Sequence, residues 1–93
     1  MEEDKLNKIR EDFKALEIKK FNIINSYIMG VVKIEEIVVF KNELFRFRDM
    51  LYAIPISDDN ILEIASLKSK VQHFNTEVLE DDEILRVAYQ NSN

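Results

Sequence analysis

Apolar residues recur along this chain at three- and four-residue intervals, the spacing that gathers them on one face of an α-helix. An early series runs Leu6, Ile9, Phe13, Leu16, Ile23, Ile24, Tyr27 and Ile28, with Phe21 at its edge. Glu17 and Lys20 interrupt it. A late series runs Ile61, Ile64, Ala65, Leu67, Val71, Phe74, Val78 and Leu79. Between them, Ile34 to Ile54 is apolar nearly all the way round. One arc holds Ile34, Val38, Phe45 and Tyr52. The other holds Ile37, Phe40, Leu44, Phe47, Leu51 and Ile54. A surface helix needs only one stripe, about 100° wide. A helix with two must touch two things: two neighbours in one bundle, or a bundle and a second chain.

The single glycine and the single proline divide these series. Gly30 is placed to end a helix in the left-handed C′ conformation. Pro55 disfavours helical angles at the residue before it. Helices are therefore expected over about 3–29, 33–54 and 58–79. Glu2, Glu3 and Asp4, and then Glu35 and Glu36, fall where a helix N-terminus favours negative charge. Ser57 is the expected N-cap of the third helix, with Asp58 and Asp59 in its first turn. A strand from Val31 to Phe40 competes, because Ile37, Val38 and Val39 are β-branched. The two acids and the later period favour the helix. After Leu79 the phase slips within Glu80-Asp81-Asp82-Glu83. Either the helix breaks there and a short one starts at Asp81 or Asp82, covering about 82–90, or one long helix continues. The break is preferred. Gln90 to Asn93 reads as a frayed tail.

Short connections force antiparallel neighbours. The expected fold is all-α: one domain, 1–93, forming an up-down-up three-helix bundle with the short fourth helix if the break holds. Positions equidistant from the Gly30–Lys33 turn should then face each other. That sets Glu17 near Arg46 or Arg48, and Lys20 near Glu43. Glu17 and Arg48 are expected to form a structural ion pair, since an unpaired charge on an apolar face is costly. Lys41 and Arg48 decide what the second arc does. Paired inside, they belong to the fold. Left exposed, they mark a partner surface made of Phe40, Lys41, Leu44, Phe47, Arg48 and Leu51, with aromatics as anchors.

Composition narrows the function by exclusion. At 93 residues the core is thin. The chain has no cysteine, hence no disulfide or thiolate metal site, which fits a reducing cytoplasm. The acidic start MEEDKLNK lacks the apolar stretch of a signal peptide. Charges interrupt every long apolar run, so no membrane span is expected. A net charge of −5 argues against direct nucleic-acid binding. Arg46 and Arg48 around Phe47 make no basic patch, because Glu35, Glu36, Glu43 and Asp49 lie close by.

His73 is alone and sits opposite its helix's apolar stripe. No second histidine or cysteine completes a site. The carboxylate clusters fall mostly at helix N-termini and match neither di-iron nor EF-hand spacing. No nucleophile motif or phosphate-cradling loop is present. No catalytic, metal or cofactor residue is assigned. The expected function is non-enzymatic: a protein-binding adaptor, chaperone or regulator from a bacterium or phage that also forms a homodimer. The alternative is an acidic inhibitor from a mobile element that blocks a host nucleic-acid-binding protein or enzyme.

Overall fold

The computed structural model describes residues 2–92, with side chains described from Asp4 onward. Among these residues there are four α-helices and no strand. They are α1 (Glu2–Ile28), α2 (Ile34–Tyr52), α3 (Ile61–Phe74) and α4 (Asp82–Asn91), and a π-helical turn, Asn75–Leu79, prolongs α3. The helices run up and down as an elongated bundle of 48 × 19 × 18 Å. The side chains of Glu2 and Glu3, expected at the α1 N-terminus, lie outside the described ones.

The α1–α2 turn forms as its glycine demands. Gly30 has φ +76°, which only glycine adopts without strain. Its N–H donates to Tyr27 O at 2.9 Å, and Val31 N–H donates to Ser26 O at 2.8 Å. This pair of bonds is the Schellman motif. Antiparallel pairing follows, and Lys19 on α1 forms an ion pair with Glu43 on α2. The expected pairing of Lys20 with Glu43 is therefore one residue off. One residue turns a helix by about 100°. Lys20 thus points towards the π turn, where its ammonium meets Glu77 Oε2 at 3.1 Å and the Phe74 ring at 4.5 Å.

Phe13 ties three helices together. Its ring lies 5.3 Å from Phe74 and 6.0 Å from Phe47, centroid to centroid. Around it, Ile9, Leu16, Ile37, Phe40, Leu44, Leu67 and Val71 complete a continuous apolar core.

Two expectations about boundaries are corrected. The N-cap position of α3 is Asn60, not Ser57. Asn60 is buried, accepts from Ser57 N–H at 2.8 Å and donates to Pro55 O at 3.1 Å. It thereby folds the α2–α3 loop, and α3 starts one turn later than Ser57 would allow. Ser57 Oγ is left buried without a hydrogen bond. The supposed tail is docked as far as Ser92. Asn91 Nδ2 donates to Gly30 O at 2.9 Å and Val32 O at 2.8 Å. Ser92 Oγ accepts from Ile34 N–H at 3.0 Å. Lys33 offers α2 no side-chain cap, so Ser92 satisfies that first-turn donor from another helix.

The phase slip near 80 has a structural cause. Glu80 N–H donates to Asn75 O at 3.1 Å, across five residues rather than four. The wider turn shifts the apolar stripe. The chain then breaks, and Asp81 starts α4 by accepting from Ile84 N–H at 3.0 Å.

Asn91→Ala should lower the unfolding free energy by about 1–3 kcal/mol, read by urea denaturation, because two carbonyls lose their donor. Gly30→Ala should cost about 1–2 kcal/mol in the same assay, the strain of a Cβ at positive φ. Arg10 Nε and Nη2 hold the Glu63 carboxylate at 2.7 and 2.8 Å, and that hydrogen bonding lowers its pKa below the ordinary carboxylate value. A lowered folded-state pKa gives stability that is present above the unfolded value and lost as pH falls through the folded one. In Arg10→Gln, an NMR titration should show the Glu63 midpoint move upward. An unmoved midpoint would disprove the pairing in solution.

Candidate functional site

The two arcs of α2 have different fates. Ile37, Phe40, Leu44, Phe47 and Leu51 are buried, and Ile54 packs against their edge. Ile34 and Phe45 on the other arc are half-buried, while Val38 and Tyr52 are exposed. The reason is geometric. Helices α1 and α3 pack on the inner arc, while the π turn and α4 cover the outer arc only in part and leave Val38 and Tyr52 at the surface.

The structure divides the six residues read as a partner surface. Phe40, Leu44 and Leu51 are 0% exposed and Phe47 is 3% exposed, all within the core. Lys41 and Arg48 are exposed. The pair expected between Glu17 and Arg48 is not formed. Arg48 lies on the outer side of α2, 3.7 Å from Asp49, with its guanidinium 4.6 Å from the Phe45 centroid. The Lys41 ammonium stands 5.8 Å from the same centroid. A cation over an aromatic face at an exposed site contributes about 0.5–1 kcal/mol, enough to orient both groups.

A groove of about 300 Å³ opens beside this arc. Ile34, Val38, Lys41 and Phe45 form one wall. Leu79 and Glu80 from the end of the π turn, with Leu85 and Tyr89 from α4, form the other. A second hollow of about 310 Å³ shares Phe45, Asn75 and Glu80, and reaches Arg48 and Gln72. Together they make a furrow lined by both apolar and polar side chains. Two cations lie on the α2 side and one carboxylate on the other. Asn75 Nδ2 holds that carboxylate at 3.0 Å.

Val38, Phe45, Leu79, Leu85 and Tyr89 were therefore missed as site residues. Two signals pointed to them. One is the first arc itself, through Val38 and Phe45. The other is the phase slip, past which a separate α4 begins and carries Leu85 and Tyr89 on the furrow wall.

Little else offers chemistry. His73 is exposed. Among the described residues, no group of three His, Asp or Glu is arranged to hold a metal ion. A hollow of about 400 Å³ between α1 and α2 has a charged rim of Lys8, Asp12, Glu43 and Arg46. No described helix is long and apolar enough to cross a membrane. Comparison with protein-family models, curated proteins and solved structures finds no match to the chain.

The two arcs should respond differently to substitution. Phe40→Ala should cost about 3–5 kcal/mol of stability through the cavity it leaves. Lys41→Ser and Arg48→Ser should each change stability by less than about 1 kcal/mol. Thermal unfolding followed by circular dichroism separates the cases. Equal losses at all three positions would show that Lys41 and Arg48 are bound into the core.

Proposed function

We propose that this chain is a small non-enzymatic helical protein that acts by protein–protein contact, as an adaptor, chaperone or regulator in a bacterial or phage-infected cytoplasm. The observation that supports this most is Phe45. It is a large, half-buried aromatic on the outer arc, beside two exposed cations and lining the furrow. Aromatic and arginine side chains are the usual anchors of protein interfaces. An enzyme would need acid, base or nucleophilic groups that converge, whereas Glu80 in this furrow is held by Asn75 and Lys41 stands beside the Phe45 ring.

The furrow's chemistry defines its partner. Ile34 to Arg48 spans about 21 Å of helix, the length of a four-turn segment. An amphipathic helix fits, with apolar residues towards Val38, Phe45 and Leu79 and carboxylates towards Lys41 and Arg48. The acidic-inhibitor reading has no comparable observation. The acids that open α2 and α4 are accounted for by the helix dipole.

The test compares wild type with Lys41→Glu/Arg48→Glu as bait for proteins of the native host. A partner retained by wild type should bind the variant at least about tenfold more weakly, since reversed charges meet its carboxylates. Identical retention by both baits would contradict the furrow as the docking site. Binding that survives Phe45→Ala but collapses with added salt would favour the inhibitor instead.

A further inference from the structure

A second uncovered surface lies on α1. Ile18, Phe21, Asn25 and Ile28 follow one another at intervals of three, four and three residues. These intervals alternate as the a and d positions of a coiled-coil heptad do. The stripe faces away from the core positions Ile9, Phe13, Leu16 and Ile23 of the same helix. Ile18 is 60% exposed, Phe21 53%, Ile28 73% and the adjoining Met29 74%. Together these four side chains leave on the order of 500 Å² open, a patch of the size that marks interaction sites. Phe21 is also held in place. Lys20, fixed by Glu77, sets its ammonium 4.8 Å from the Phe21 ring.

We propose that this stripe is the interface of a parallel, two-fold symmetric dimer of the chain. Two stripes in contact would bury about 1,000 Å², the lower end for a specific interface. The argument for a second copy rests on Asn25. It is the one polar position between apolar ones, and an amide facing hydrocarbon is unfavourable. In a parallel pair Asn25 meets Asn25, and each amide can donate to and accept from the other. That is the known role of asparagine at an a position, where it fixes register and two-strandedness. An antiparallel pair that overlaps the whole stripe, Ile18 against Ile28, would set Asn25 against Phe21 instead. The flanks agree. Glu17 and Asn22 take the g and e positions, so the Glu17 carboxylate faces the amide of Asn22 in the second copy. Upstream, Glu11 and Lys14 continue the spacing with charges and confine the seam to Ile18–Met29. The dimer is therefore weak and reversible. The stripe lies on a different helix from the α2 furrow.

Sedimentation over a range of concentrations tests this. The chain should be monomeric at about 1 µM and dimeric at about 1 mM, with Phe21→Asp monomeric throughout and unchanged in helical content. The chain contains no cysteine, so Asn25→Cys gives a unique thiol. Under mild oxidation it should form a disulfide-linked dimer much faster than Val38→Cys in the α2 furrow. A wild-type monomer at both concentrations would overturn the proposal. So would a dimer that survives Phe21→Asp, or equal cross-linking at positions 25 and 38.

Discussion

Burial of the inner arc of α2 is the constraint on which the other elements depend. Phe40, Leu44 and Leu51 are fully enclosed. Fully burying a side chain of this kind contributes about 1.5–3 kcal/mol relative to exposure, and no other helix supplies so many in one row. Helix α1 covers the arc from one side with Phe13 and Leu16. Helix α3 covers it from the other with Leu67 and Val71. Phe13, stacked on Phe74 and tilted against Phe47, closes the seam where all three meet.

The bundle is slender, so polar contacts close its ends. Asn91 binds two carbonyls of the Gly30 turn, and Ser92 caps α2 from the end of α4. These contacts join residues about sixty positions apart and make α4 part of the fold. Asn60 performs the same task locally at the opposite end. The π turn has a further consequence. By shifting phase before α4, it opens a furrow beside α2.

Local rules made most of the fold readable. Apolar spacing, Gly30 and Pro55 identified the helices, and the phase slip identified the fourth. The boundary at Ser57 was misread because capping preference alone cannot tell two polar residues three positions apart. Asn60 wins because its amide can both donate and accept within the loop. The candidate site was half readable. Lys41 and Arg48 were recognisable as charges on an over-wide apolar helix. Which arc they would accompany was not, because that depends on where α1 and α3 cross α2. Periodicity shows how wide an apolar surface is and leaves open which part is covered. The Glu17–Arg48 pair failed for the same reason. Their positions along the hairpin were compatible, but Arg48 points away from α1, towards Phe45.

Helix α2 divides its two arcs, one buried and holding the bundle together, the other only partly covered. Hydroxyl-radical footprinting of the native monomer, read residue by residue by mass spectrometry, tests this directly. Val38 and Tyr52 should be oxidised readily and Phe45 to an intermediate degree, while Phe40, Leu44 and Phe47 stay protected until the chain unfolds. Similar oxidation of both arcs in the folded protein, or protection of Phe45 and Tyr52 together with Phe40, would contradict this division.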